Sequence, residues 1–169
     1  MDADSTYHAS RDQAEHGTLL APRMVIASQM IGFGSVTNVT ACASTRGTTT
    51  CQGDGRGFVK VHDNVSRDAY FAIIEESKVL GLPVAGDVPA SVTAAEAAWA
   101  GQRSIEHFGG LDDAASDASK TRDLIGALRS HRTWVCPTIV MRRNYASLDD
   151  ASFAGDPRLS YVKPSWRRR

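Results

Sequence analysis

The chain has 169 residues and a mass of 18.2 kDa, room for one domain with a real hydrophobic core and not for two of ordinary size. Lys plus Arg (19) balance Asp plus Glu (19), so no overall field favours polyanions or acidic membrane surfaces, and nucleic acid is an unfavoured partner. Mean hydropathy is −0.26 and no apolar run approaches the ~18 residues of a spanning helix, which excludes a transmembrane segment.

The opening Met1-Asp2-Ala3-Asp4-Ser5 has neither a basic nor an apolar stretch of the kind a secretion signal needs, so the cytoplasm is the default location. A polar segment from about Ser10 to Gly17 reads as helical within a leader over 1–20, and Met24-Val25-Ile26-Ala27-Ser28 reads as a strand. From Ser35 to Gly57 the chain is rich in Thr, Ser and Gly and has no helical period, where a βαβ unit would need a crossover helix. The glycines of Gly32-Phe33-Gly34 lack the third glycine of a dinucleotide fingerprint, since Thr37 stands there. Gly53-Asp54-Gly55-Arg56-Gly57 lacks the Gly-Lys-Ser/Thr ending of a phosphate loop, so both read as turns.

Regular alternation begins at Phe58. Phe58 to His62 is strand-like, and Ser66 can cap a helix whose Tyr70, Ile73, Ile74 and Ser77 share one face before Gly81 stops it. Leu82 to Asp87 is the next strand, followed by an Ala-rich helix from a Thr93 cap to Ala100, with Gly101 beyond its end. Arg103 to His107 forms a third strand, and Ala118 to Arg132 a third helix with Leu124, Ile125 and Leu128 inward. Thr133 to Val140 is a fourth strand in this series. Strands alternating with helices imply an α/β fold with a parallel sheet. The tail over 151–169 is irregular and basic, ending Trp166-Arg167-Arg168-Arg169.

Cys42, Cys51 and Cys136 lack Cys-x-x-Cys spacing, so free thiols are expected rather than a disulfide scaffold or zinc knuckle. No Gly-x-Ser-x-Gly elbow occurs, and Cys136 reads as a core residue of an apolar strand rather than a nucleophile. Lys60 is the first chemical signal, because a lysine between Val59 and Val61 in a doubly covered strand is costly to bury unpaired. Alternation puts Lys60 and His62 on one face, near the end of the strand where α/β folds place their sites. Asp87 closes the next strand and His107 the one after, so a continuous parallel sheet delivers Lys60, Asp87 and His107 to a common rim. The competing assignment is structural, with Lys60 paired to Asp87 and His107 a core histidine held by Glu106 or by backbone; residue pattern alone favours it.

The segments FVKVHDNVSRDAYFAIIEESKVLGLPVAGDVP, AGQRSIEHFGGL and WVCPTIV, in this order, closely resemble the amidohydrolase superfamily, in its imidazolonepropionase-like and dipeptidase-like branch. APRMVIASQMIG and DPRLSYVKPSW resemble flanking stretches of the same branch. The resemblance implies one domain over 1–169 with a TIM-barrel-like parallel sheet, about five of the eight strands of a (β/α) barrel, roughly the third to the seventh. It also implies a divalent metal, zinc above all, whose bound water attacks an amide carbonyl of a small-molecule substrate. Lys60 matches a lysine that is often carboxylated in the family, the carbamate offering two oxygens to metal where an ammonium offers no lone pair. His107, in Ser104-Ile105-Glu106-His107, matches a metal-binding histidine. Gly86-Asp87-Val88-Pro89 stands where the family has Gly-His-Val-Pro, placing a carboxylate in the position of an imidazole.

The family's His-x-His pair and final aspartate have no counterpart. His8 and His16 lack the spacing, and Asp149, Asp150 and Asp156 lie in a loop-like region and take no such role. A full barrel uses about 250 residues, so the strands are expected to leave apolar edges and to self-associate as homo-oligomers. The expected function is metal-dependent hydrolysis of amide bonds, of a non-peptide or dipeptide-like kind, at Lys60, Asp87 and His107. The rival is a catalytically inactive barrel remnant that serves as a binding or interaction module.

Overall fold

The computed structural model describes residues 3–27, 30–32, 57–111, 114, 116–147, 149–150, 155–161 and 163. Phe33, Gly34, Thr37, Cys42, Cys51, the insert over 35–57 apart from Gly57, and most of the tail lie outside the described residues. The chain divides into two compact units, Met1–Pro137 and Thr138–Arg169.

The first unit opens with helix α1, Ala3–Glu15, which starts earlier than the polar segment suggested. Four three-residue strands follow, β1 (Val59–Val61), β2 (Val84–Gly86), β3 (Ser104–Glu106) and β4 (Trp134–Cys136). They alternate with α2 (Arg67–Val79), α3 (Ala94–Ala100) and α4 (Ala118–His131). All pairings are parallel and the strand order β1-β2-β3-β4 follows the sequence, so the fold is an α/β partial barrel-like sheet. Lys60 is in register with Ala85, and Ala85 with Ser104.

Of the expected strand over Met24–Ser28, the described residues Met24–Ala27 form none. Two isolated parallel bridges, Ala27 to Phe58 and Ile31 to Val61, take its place along β1, with Ile31 N–H donating to Lys60 O at 2.9 Å and His62 N–H to Ile31 O at 2.8 Å.

The helices obey their local signals. Ser66 caps α2 by accepting from Ala69 N–H, and Tyr70, Ile73, Ile74 and Ser77, spaced three and four apart, are buried together. Thr93 and Glu96 close a reciprocal capping box at the start of α3, which ends at Gly101. Asp117 accepts from Ser119 and Lys120 N–H at the start of α4. On α4 the inward stripe is Leu124, Ala127 and part of Leu128, so Ile125, one residue round the helix, faces solvent at 47% exposure instead of packing inward. Val59, Val61, Val84 and Ile105 meet Tyr70, Ile73 and Ile74 in one core, each removing apolar surface from water at roughly 25 cal/mol per Å².

The strand read over Thr133–Val140 stops at Cys136. Pro137 has no N–H for the ladder, Thr138 takes a left-handed conformation (φ 46°), and Ile139–Ala146 is a helix, α5. Cys136 is exposed rather than in the core, because register puts Trp134 and Cys136 on the face of Ser104 and Glu106, opposite Ile105, and among the described residues β4 has a neighbour on one side only. The second unit holds α5, none of whose residues is buried, and a 3₁₀ turn, Pro157–Tyr161, preceded by Asp156, which accepts from Arg158 N–H. No described helix is long and apolar enough to cross a membrane.

Candidate functional site

Three neighbouring strands carry the site. Val59 and Val61 are buried on one face of β1, which leaves Lys60 on the other, and β3 repeats the pattern with Ile105 buried and Ser104 and Glu106 opposite. Asp87 is the first residue after β2, and His107 the first after β3.

Asp87 is placed by an unusual strand end. Gly86 has φ +131° and lies so close to β1 that a Cβ on it would sit 2.1 Å from the Val61 carbonyl oxygen. Only glycine fits there. The next N–H, that of Asp87, donates to the same Val61 oxygen at 3.0 Å. Gln102, fully buried, donates from Nε2 to the carbonyl oxygens of Gly86 (2.9 Å) and Ser104 (2.8 Å). Its own Oε1 accepts from the Tyr70 hydroxyl at 2.5 Å, and its backbone oxygen accepts from Thr133 Oγ1 at 2.8 Å. Burial pushes the Tyr70 phenol well above its usual range, so it remains a donor to Gln102. A satisfied buried network of this kind ties β2, β3, α2 and the start of β4 together directly behind Asp87.

At the rim, Lys60 Nζ forms an ion pair with Glu106 Oε2. Register permits it, since Lys60, Ala85 and Ser104 are aligned and Glu106 lies on the same face two residues beyond Ser104. His107 Nε2 is 3.9 Å from Asp87 Oδ1 and 3.9 Å from Glu106 Oε2. Its side chain is 45% exposed, so it is a rim histidine and not a core one. His107 and Phe108 have φ of 60° and 65°, successive left-handed residues that cost roughly 1–2 kcal/mol each. His107 N–H donates to Cys136 O at 3.0 Å, which anchors that turn to the end of β4. His62, on the Lys60 face, has Nδ1 2.6 Å from Asp63 Oδ1.

The sheet thus brings together all three residues singled out from the sequence and adds Glu106. The signal for Glu106 was its alternation with Ile105, the same signal that exposed Lys60. An imidazole nitrogen and two carboxylates are donor types that suit a divalent cation. In the arrangement described, Glu106 is committed to the Lys60 ammonium. Among the described residues no group of three or more His, Cys, Asp or Glu side chains is placed to hold a metal ion.

The chain matches no family model and no curated protein. Among solved structures it is similar to "AH, Bottromycin amidohydrolase", with 26% sequence identity and a TM-score of 0.62. The structural likeness is to a hydrolase. It covers 94% of this chain, and the chain spans 39% of the length of that amidohydrolase.

Proposed function

We propose that this chain carries part of a site of amidohydrolase-superfamily type that hydrolyses an amide C–N bond of a small molecule with a metal-activated water. One observation carries the reading: consecutive parallel strands end in Lys60, Asp87, and Glu106 with His107, clustered at one end of a sheet similar to that of an amidohydrolase. Asp87, His107 and a carboxylated Lys60 are the groups that would hold a divalent ion, with zinc suited to the imidazole. Such an ion, when bound, lowers the pKa of its water from 15.7 to roughly 7 and so makes hydroxide at neutral pH.

The chain's own residues set the conditions for that site. As an ammonium, Lys60 has no lone pair and neutralises Glu106. Carboxylation changes the lysine from cation to anion, turning its attraction for Glu106 into repulsion and freeing that carboxylate to face His107. Neutral His107 presents a nitrogen lone pair at Nε2, between two carboxylates. Asp87 is held at the rim by the Gly86 kink.

The Lys60–Glu106 pair supports a second reading, an inactive barrel remnant that binds a partner or ligand, because the rim charges are compensated without metal. Elemental analysis of protein prepared with bicarbonate and zinc or manganese separates the two. The hydrolase reading expects stoichiometric metal and turnover of N-acyl amino acids, dipeptides or lactones. It also expects stabilisation of about 2.7 kcal/mol at a hundredfold excess of metal over Kd. Absence of metal, of thermal stabilisation and of turnover leaves the binding module.

A further inference from the structure

Asp87 rides on a peptide plane that is held at both edges. The Gly86–Asp87 peptide donates its N–H to Val61 O at 3.0 Å, and its carbonyl oxygen accepts from Gln102 Nε2 at 2.9 Å. Glycine leaves the plane that follows it with more rotational freedom than any other residue, so Gly86 alone does not decide where the next side chain lies. The neighbouring strands decide it. Val61 belongs to β1, on one side of β2, and Gln102 immediately precedes the β3 segment on the other.

The chemistry of Gln102 is matched to both strands. Its side-chain nitrogen carries two N–H donors, which go to Gly86 O, the last carbonyl of β2, and to Ser104 O, the first of β3, at 2.9 and 2.8 Å. Two carbonyl oxygens can only accept, so the nitrogen must be the end of the amide that faces them, and Oε1 is left to accept from the Tyr70 hydroxyl at 2.5 Å. Asparagine is one methylene shorter, and ionised glutamate has no donor at all. Gln102 is 1% exposed, so removing its amide leaves both carbonyls without a partner. We infer that Gln102 is a positioning residue for the rim, acting through the Gly86–Asp87 peptide to hold the Asp87 carboxylate 3.9 Å from His107 Nε2. What Asp87 then does, namely hold an ion, rests on the metal-activated hydrolysis proposed above; how Asp87 is held does not. The rival is a residue that only adds stability, whose loss loosens the whole sheet evenly. Tyr70 separates the two, because Tyr70→Phe takes one hydrogen bond from the same network and leaves both bonds from Nε2 in place.

Residue-resolved amide hydrogen exchange of the full chain, followed by NMR well below the melting points, tests the inference. Gln102→Met keeps an unbranched side chain of similar size and removes the donors. Exchange of the Asp87 N–H should then speed up at least about tenfold relative to the N–H groups of Val59 and Arg103, which donate to Pro83 O and Val84 O in the same sheet. Tyr70→Phe should leave that ratio within about twofold. Zinc affinity, read by calorimetry, should weaken at least about tenfold in Gln102→Met and stay within about twofold in Tyr70→Phe. Should Gln102→Met not fold, Gln102→Asn, which withdraws the amide by one methylene, gives the same exchange readout. Equal acceleration at Asp87, Val59 and Arg103, or a Tyr70→Phe effect on Asp87 as large as that of Gln102→Met, would overturn the inference. A parent protein that binds no zinc would remove the hydrolase reading and leave the exchange ratio to decide the role of Gln102.

Discussion

Replacing Gly86 by alanine tests the strand end that presents Asp87. The added Cβ would sit 2.1 Å from the Val61 oxygen and 3.0 Å from its nitrogen, both backbone atoms of a fully buried residue. Holding an alanine in glycine-only backbone costs about 1–3 kcal/mol, and forcing β1 and β2 apart costs about 1–3 kcal/mol more. The sum, about 2–6 kcal/mol, corresponds to a fall in Tm of roughly 4–24 °C for a chain of this size. Two other glycines serve as internal standards. Gly81 also has a positive φ (+68°) but nothing within 4 Å of its added Cβ, so Gly81→Ala should cost only the backbone conformation, about 1–2 kcal/mol. Gly126, within α4, has neither problem, and Gly126→Ala should stabilise by about 0.5–1 kcal/mol. Urea unfolding of the three variants at one temperature gives the ranking. If Gly86→Ala proves no worse than Gly81→Ala, the close approach of β1 and β2 is not what holds Asp87 at the rim.

A double-mutant cycle with Lys60→Met and Glu106→Gln should show a coupling of about 1–2 kcal/mol. The side chains retain 18% and 24% exposure and so fall between surface and buried pairs; additive effects would mean no working pair. Asp87→His should tighten zinc binding about tenfold or more by adding an imidazole beside His107, and it should leave the Lys60–Glu106 pair intact. An unchanged affinity in a zinc titration would count against a metal site at this rim. Glu96 is held down to about 2, first by its hydrogen bond from Arg67 and then by the Thr93 N–H and hydroxyl. Its stabilising effect is therefore complete above its ordinary value of 4.5 and is lost as pH falls toward about 2. Arg67→Met should flatten the decline of Tm over that window, and high salt should do the same, since the pair is partly exposed. Light scattering should show self-association through the open edge at β4, and a monodisperse, cooperatively melting monomer would refute that expectation.

What could be read from the sequence was local. Ser66, Thr93 and Gly101 bracket helices through chemistry contained within a turn, and the Tyr70, Ile73, Ile74, Ser77 stripe declares its buried face by spacing alone. The arrival of Lys60, Asp87 and His107 at one rim was legible for the same reason, because alternation and strand ends are local properties. The partner of Lys60 was not, since Glu106 is 46 residues away and pairs through the register of three strands. Ile139 and Val140 misled because a short apolar run has no decisive period, and Pro137 with a left-handed Thr138 turns it from strand to helix. Cys136 is exposed for a reason no single strand reveals, namely that β4 has a neighbour on one side only among the described residues. Of the left-handed pair, His107 belongs to a type enriched at positive φ, but Phe108 does not, so the turn could not be read from its residues.

The strand order, running in step with the chain, also shapes how the molecule folds. Each pairing closes a loop of similar size, roughly 20 to 30 residues, so the chain entropy lost in forming one neighbour differs from another by only about 0.4 kcal/mol. Entropy therefore favours no starting point, and side-chain burial must choose it. The deepest burial lies around β1, β2 and α2, where Val59, Val61 and Tyr70 are wholly enclosed, while α4 contributes only Leu124 and Ala127. Folding should therefore nucleate on the β1–α2–β2 unit, with β3 and then β4 added in chain order. Ile73→Val should slow refolding, whereas Ala127→Gly should chiefly speed unfolding.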